Sequence, residues 1–570
     1  MRLSISKSKN SISLYVIKST YENGKHSSKV VEKLGTVKEL EEKLNGEDPI
    51  EWAKKYIEEL NKKDKENRRD VIVKYSPAKT VEKDVQRLFN GGYLFIQQIY
   101  YALGLHKISE EISKKYKFTF DLNSILSRLI YGRILFPASK LATNQLSEKF
   151  IEKPNFELQH IYRALEVISK ESDFIQAKLY KNSLKVSKRN TGILYYDCTN
   201  FFFEIEQEDG VKQYGISKEH RPNPIVQMGL FMDGNGIPLA FNINKGNTNE
   251  QVTLTPLEKQ ILSDFNLSKF VVCTDAGLAS TANRKFNNKK DRAFITTQSV
   301  KKLKKHLKEW ALNPDGWYLD TDIKTYDISK INEEKYKDKI FYKERWIKEN
   351  GLEQKIIVTY SIKYRNYQRK LRNNQIERAQ KTIDSNPGKL KKSSQNDYKR
   401  FIQKTCCTSD GEIAKKEIYN INTELITVEE AFDGFYAVCT NLEDDVHEIV
   451  KVNKRRWEIE ECFRIMKSEF KARPVYLSRD DRIIAHFITC FIALIIYRIL
   501  EKKLEEKYTC HEILKKLKEM DFYEIKGEGY VPTYIRDDLT DDLHKAFGFR
   551  TDYQIVPKKQ MKNIFKVTKK

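Results

Sequence analysis

Hydrophobic residues change their period several times along this chain. Near the start, "SISLYVIKSTYENGKHSSKVVEKLG" holds two β-rich runs with Asn23-Gly24 in the connection between them, which predicts a small β unit. The charged "ELNKKDKENRRD" that follows predicts a helical linker. From about Val81 to Val186 apolar residues recur at helical spacing in "VQRLFNGGYLFIQQIYYALGL", "LNSILSRLIYGRILF" and "IYRALEVISK", predicting a domain of several short helices. The pattern then turns to strands. "TGILYYDCTNFFFEIE" is dominated by β-branched and aromatic residues over too short a run for a helix, so it predicts a strand at the centre of a sheet. "PIVQMGLFMD" and "IPLAFNIN", joined by "GNG", predict an antiparallel hairpin. Thr248 or Asn249 caps the next predicted helix, "KFVVCTDAG" is a buried strand, "STANRKF" a short helical piece and "AFITT" another strand.

Three antiparallel strands, helix, strand, helix, strand is the order of a mixed α/β sheet of the ribonuclease H-like kind. Beyond it the pattern breaks for more than a hundred residues: "DIKTYDISKI" and "QKIIVTYSIK" read as strands and "RNYQRKLRNNQIERAQKTI" as a basic helix, before "GFYAVCTN" restores the earlier character. The expected organisation is therefore 1–75, a small β unit with a helical linker; 80–190, a helical domain; 191–300, the first part of the α/β core; 301–433, a β-rich insertion with a basic helix; 434–505, the second part of the core; and 506–570, a C-terminal region suited to dimerisation. No internal repeat or low-complexity tract interrupts this order.

Composition adds a partner to that outline. The 570 residues carry 103 Lys+Arg against 80 Asp+Glu, a formal charge of +23 that points to a polyanion, nucleic acid first, because each neutralised phosphate releases condensed counterions. The eight cysteines (Cys198, Cys273, Cys406, Cys407, Cys439, Cys462, Cys490, Cys510) form no CxxC pair, which argues against a zinc finger or disulfide framework and for reduced thiols in the cytoplasm. The N-terminal residues lack a continuous apolar h-region, so no signal peptide is expected. The one membrane decoy is "IIAHFITCFIALIIYRIL"; its His486 and Arg498, and the charged "SRDDR" before it, favour a buried core helix over a transmembrane span.

The candidate chemistry sits on the strands and on one helix. Asp197 and Asp275 are each expected at the end of an apolar strand, where open α/β sheets place their sites, and as neighbours they can hold a divalent cation. In "VNKRRWEIEECFRIMKSEF", a regular helix with Arg456 at zero puts Glu460 at about 40° and Lys467 at about 20°, on one stripe. Ile459, Phe463, Met466 and Phe470 fall beside that stripe as a buried face, whereas Glu458 and Glu461 point away. A carboxylate so placed completes a metal site while the two cations hold phosphate oxygens. The plainer alternative is an ordinary i,i+4 pair of Arg456 with Glu460, worth about 0.2 to 0.5 kcal/mol.

These residues resemble the DDE transposases of bacterial insertion sequences, in the branch with a β-rich insertion before the catalytic glutamate and a signature written Y-(2)-R-(3)-E-(6)-K. Arg456, Glu460 and Lys467 match its R, E and K, and Trp457 and Ile459 fit the common "RWxIE" form; the tyrosine position is Asn453 here. "YYDCTNFFFE" resembles the first-aspartate strand, "YGISKEHRPNPIVQMGLFMDGNGIPLAFNINKGNTNE" the segment after it, "CTDAGLAS" the second-aspartate strand, and "KARPVYLSRDDRIIAHFITCFIAL" the closing helical segment. The resemblance runs from about Tyr195 to Leu500. It implies a ribonuclease H-like core with two Mg²⁺ ions, replaceable by Mn²⁺, on Asp197, Asp275 and Glu460. It implies phosphate contacts by Arg456, Lys467 and Arg464, and either base stacking or a core role for Trp457. The partners implied are the terminal inverted repeats of the element and a target duplex, bound by a homodimer in the cytoplasm at the nucleoid, with the N-terminal domains recognising the repeats. Three other classes fit parts of the sequence: a catalytically silent DNA-binding derivative, a metal-dependent nuclease without strand transfer, and a membrane-anchored protein.

Overall fold

The structure, a computed structural model, describes residues 1–8, 11–22, 25–44, 46–67, 71–319, 322–385, 397–407 and 413–570. It divides into two units. One comprises Met1–Leu88 with Phe522–Pro532 and Thr551–Ile564, the other Phe89–Asp521 with Thr533–Arg550 and Phe565–Lys570.

In the first unit, β1 (Arg2–Lys7), β2 (Ile12–Glu22) and β3 (Lys25–Thr36) form an antiparallel sheet. Asn23 and Gly24, the expected turn, lie outside the described residues. Helices α1 (Val37–Lys43) and α2 (Pro49–Asn67) follow, and the sheet-to-helix corner is set by a capping box in which Thr36 Oγ1 accepts from Glu39 N and Thr36 N donates to Glu39 Oε2. Leu14, Leu40 and Ala53 make the small core, with Trp52 packed against it.

After the short strand β4 (Leu88–Asn90), the second unit opens with six helices: α3 (Tyr93–Ala102), α4 (Leu105–Lys115), α5 (Leu122–Leu135), α6 (Lys140–Ser147), α7 (Leu158–Lys170) and α8 (Ser172–Val186). Asp121 and Ser139 cap α5 and α6 through their side-chain oxygens. The sheet begins with β5 (Ile193–Phe202), β6 (Ile225–Asp233) and β7 (Pro238–Lys245), followed by α9 (Leu254–Asp264), β8 (Phe270–Thr274), α10 (Thr281–Asn287) and β9 (Arg292–Gln298). As expected, Asn249 is a cap, although of a 3-10 turn (Glu250–Val252) just before α9. The hairpin between β6 and β7 is held by Asp233, whose buried carboxylate pairs with Arg189 and accepts from the N–H groups of Asn235 and Ile237. Gly236 closes it at φ +78°; there a Cβ would stand 2.5 Å from both Arg498 Nη2 and Glu458 Oε2, so glycine is required twice over.

From 301 to 433 the chain makes an excursion that begins with α11 (Lys305–Leu312). The strands β10 (Trp317–Leu319), β11 (Asp322–Tyr326), β12 (Phe341–Glu349) and β13 (Leu352–Tyr360) extend the existing sheet rather than build a separate one. Between β13 and the returning strand lie the basic α12 (Ile362–Ser385), the hairpin β14 (Ile402–Cys407) and β15 (Ile413–Ile421), and α13 (Thr423–Glu430). The chain re-enters as β16 (Phe435–Thr440), antiparallel to both β9 and β13. The sheet thus has ten strands in the order β11-β10-β12-β13-β16-β9-β8-β5-β6-β7. Within it β5, β6 and β7 are antiparallel, and β8 and β9 run parallel to β5.

The two faces of β5 separate by parity. Leu194, Tyr196 and Cys198 join Leu257 and Ile261 of α9 in one core. The opposite face, carrying Tyr195, Asp197, Thr199 and Phe201, is covered by α14 (Val446–Lys454), α15 (Trp457–Arg464), a π-helical turn (Ile465–Glu469) and α16 (Asp480–Lys503). Helix α16 is long and apolar enough to cross a membrane, but 94% of its most apolar window is buried inside the protein, against α3, α5, α7 and β7. Ile488, Phe491, Ile492 and Ile496 are fully buried there, each stabilising the fold by about 1.5–3 kcal/mol. The chain continues through α17 (Cys510–Glu519), the antiparallel strands β17 (Asp521–Ile525), β18 (Gly529–Pro532) and β19 (Val556–Pro557), and the helices α18 (Asp538–Phe547) and α19 (Lys558–Thr568). Cys198, Cys273, Cys439, Cys462, Cys490 and Cys510 are free and buried.

Candidate active site

Strands β5 and β8 pair in parallel through Ile193↔Val271, Leu194↔Val272 and Tyr195↔Cys273. Carrying that register two residues further sets Asp197 beside Asp275. Contrary to expectation, Asp197 is not at the end of its strand, because β5 continues to Phe202 against β6. It lies where β8 stops, so its carboxylate emerges at a step in the sheet rather than at its rim. Asp197 Oδ1 accepts from Cys198 N at 2.8 Å, and Asp275 Oδ1 caps the following turn by accepting from Leu278 N at 3.1 Å. Each aspartate keeps its second oxygen for another partner. Burial pushes the Asp197 carboxyl up to about 6, with the Asp275 charge adding to the shift while Lys218 and Arg456 oppose it. Two adjacent, partly desolvated carboxylates are a donor set that a hard divalent cation relieves.

The segment expected as one helix is three pieces. Helix α14 ends at Lys454, α15 begins at Trp457 after an offset at Arg455 and Arg456, and a π turn follows from Ile465. A single 100° wheel therefore fails across it. Ile459, Phe463, Met466 and Phe470 do form the buried face. Glu458, expected to point away, is buried too, paired with Arg455 at 2.8 Å and with Arg498 of α16 at 3.7 Å. Its role is to tie α15 to α16. Glu461 pairs with Arg464, which takes Arg464 into a local ion pair. Lys467, carried on the π turn, donates to Thr199 Oγ1 at 2.6 Å, two residues along the strand from Asp197 and on the same face.

Arg456 and Glu460 approach to 4.0 Å, with Arg456 largely buried and Glu460 62% exposed. The carboxylate oxygens of Asp197, Asp275 and Glu460 do not gather within 4.8 Å of one another. Asp197 and Asp275 thus come together, and Glu460 stands in an adjoining cleft of about 730 Å³. That cleft is lined by Arg456, Trp457 and Glu460 on one side and by Lys363 and Tyr364 from the excursion and Tyr436 of β16 on the other. Trp457 is 60% exposed, which excludes a core role. Asn453, at the signature's tyrosine position, is buried; its Nδ2 donates to Tyr436 Oη at 2.8 Å, and Tyr436 Oη also meets Thr297 Oγ1 at 2.8 Å. A phenol from β16 therefore reaches the place next to Asn453.

Two residues near the aspartates carried no separate signal in the sequence. Lys218 donates to the carbonyl of Cys198 and pairs with Glu250 at 3.2 Å, and Glu219 pairs with both Lys467 and Arg473. Their loop is fastened by Asn200, whose Nδ2 donates to Ile216 O and whose Oδ1 accepts from Lys218 N. Nothing in a lysine-rich sequence singles out Lys218; only the clamp by Asn200 of the "DCTN" strand gives it a place.

The fold and site thus define a mixed α/β protein with two neighbouring aspartates on its sheet and a broken arginine-glutamate helix packed on the same face. The Transposase DDE domain family matches residues 191–496, and the chain belongs to that family. It is, on that ground, a DDE transposase. Among solved structures, a piggyBac transposase synaptic complex with hairpin DNA is similar at 8% identity and a TM-score of 0.36, over 84% of this chain and 84% of that one. No curated protein matches the chain.

Proposed function

We propose that this transposase has a ribonuclease H-like core and acts on the terminal inverted repeats of a bacterial insertion sequence, cutting the DNA ends and joining them to a target duplex. The observation that supports this reading is the nearness of Asp197, on β5, to Asp275, just past the end of the parallel strand β8, with Glu460 lining a cleft that shares Arg456 with them. These three carboxylates would hold Mg²⁺, as a pair of ions, or Mn²⁺ in its place. When bound, such ions activate a water or a DNA 3′-hydroxyl and stabilise the leaving oxygen. The side chains do the rest. Among the described residues Arg456 has a buried Nε without a hydrogen-bond partner, and its guanidinium orients a phosphate beside Glu460. Lys467, anchored on Thr199, contacts the same strand on the other side of Asp197. Trp457 offers an exposed ring for a displaced base. Arg464 lends charge once Glu461 releases it. The N-terminal sheet and the helical domain recognise the repeats, a homodimer brings two ends together, and the protein works in the cytoplasm at the nucleoid.

The test is nicking of duplexes that carry the inverted repeats flanking the gene. Wild type is expected to nick them only with Mg²⁺ or Mn²⁺. Asp197→Asn, Asp275→Asn and Glu460→Gln should each abolish nicking while DNA binding is retained. Retained binding with no nicking by wild type under either metal would overturn the catalytic reading in favour of a silent DNA-binding derivative.

A further inference from the structure

We propose that a second, separate pocket, between the start of α6 and the segment Lys471–Leu477, binds a backbone phosphate of the DNA. This cavity of about 270 Å³ is lined by Arg133, Lys140, Lys471, Arg473 and His486, and no carboxylate is among its lining residues. Lys140 decides the matter. It is only 5% exposed and has no hydrogen-bond or ion-pair partner among the described residues. Arg133 is fixed by donating to the carbonyls of Phe470 and Ala138, yet its buried Nε is unpaired. Desolvating an ammonium without a partner is costly, and an anion seated in the cavity would offset that cost. Burial, with the neighbouring Arg133, pushes the Lys140 ammonium down to about 7, and a bound anion would act in the opposite direction. The first turn of α6 also opens onto the cavity, which favours negative charge there.

The pocket adjoins the candidate active site through a line of contacts. Arg473, at its wall, shares Glu219 with Lys467, and Lys467 reaches Thr199 beside Asp197. A strand that passes Lys467 can therefore seat a further phosphate in this pocket. Naming the anion as DNA backbone rests on the transposase reading; the pocket's affinity for a phosphate group does not.

The experiment uses the full chain without divalent metal, so that its outcome is independent of cleavage. Inorganic phosphate should raise the Tm of wild type above that in chloride of equal ionic strength, and Lys140→Met should lose this response. The same variant should lower the salt slope of duplex binding by about one. If the variant fails to fold, labelling of Lys140 in wild type by an amine reagent replaces it: phosphate and duplex should both slow the labelling. Equal phosphate responses in wild type and variant, or labelling that neither addition slows, would overturn the pocket. A phosphate response through Lys140 with an unchanged salt slope, or labelling slowed by phosphate alone, would overturn DNA as the source of the anion. Loss of nicking activity in wild type, with both Lys140 effects present, would count against the catalytic reading and in favour of the pocket.

Discussion

Arg456 separates the two readings of its neighbourhood, structural pair or phosphate ligand, because its contact with Glu460 is long and its Nε is unsatisfied. Arg456→Ala is expected to weaken cleavage and lower the salt slope of end binding by about one; an unchanged slope would return it to a pair with Glu460. Tyr436→Phe should cost about 1 kcal/mol of stability, read as a fall in denaturant midpoint, because the Asn453 amide and Thr297 hydroxyl lose a shared partner. Asp197 and Asp275 were legible in the sequence as single acids in apolar strands, a pattern that burial makes rare. What the sequence could not show is the register that pairs them, since a parallel ladder joins residues far apart in the chain. Lys140 and Lys218 were invisible for a plainer reason: among 103 basic residues, only burial distinguishes Lys140 and only the Asn200 clamp on its loop places Lys218.

At the scale of elements, a hydrophobic stripe survives the break between α14 and α15 because packing needs only local periodicity. Where a charged side chain ends up depends instead on the partners that other elements bring to it. Ile459 and Phe463 fell where expected, whereas Glu458, on the same helix, is buried because Arg455 and Arg498 of α16 pair with it there. Arg498 of α16 donates to Gly236 O and pairs with Glu458 and Glu501, so Arg498→Met strips the half-buried Glu501 of its paired guanidinium and leaves Glu458 to Arg455 alone. A loss of roughly 1.5–3 kcal/mol in chemical denaturation is expected. Helix α9 supplies a pH test. Burial pushes the Glu258 carboxyl up to about 7 from a reference of 4.5, against the opposing effects of Asn287 and Arg292. Below the reference value both states hold the proton, and between the two values only the unfolded chain releases it. Stability therefore falls as pH rises through that window, by roughly 3 kcal/mol at most. Glu258→Gln should flatten the profile, and a variant with the wild-type slope would count against this assignment.

Across the whole molecule, the excursion between β9 and β16 was legible as an interruption, but not as an extension of the same sheet. Edge pairing of β10 to β13 is a tertiary event, and each of those strands has the same local pattern whether it joins the core or stands apart. The apolar run in α16 was read as core, and its burial agrees. Fractionation without detergent should leave the chain in the supernatant; retention in the membrane pellet would contradict that reading. The central claim is that Asp197, Asp275 and Glu460 serve one metal site, although Glu460 stands apart from the aspartate pair in this conformation. It is tested most directly by loading the DNA-bound protein with Fe²⁺ and mapping where metal-generated hydroxyl radicals cut the backbone. Cuts near residues 197, 275 and 460, competed by Mg²⁺ and lost together in Glu460→Gln, are the predicted result; cuts near 197 and 275 alone, unchanged in Glu460→Gln, would contradict it.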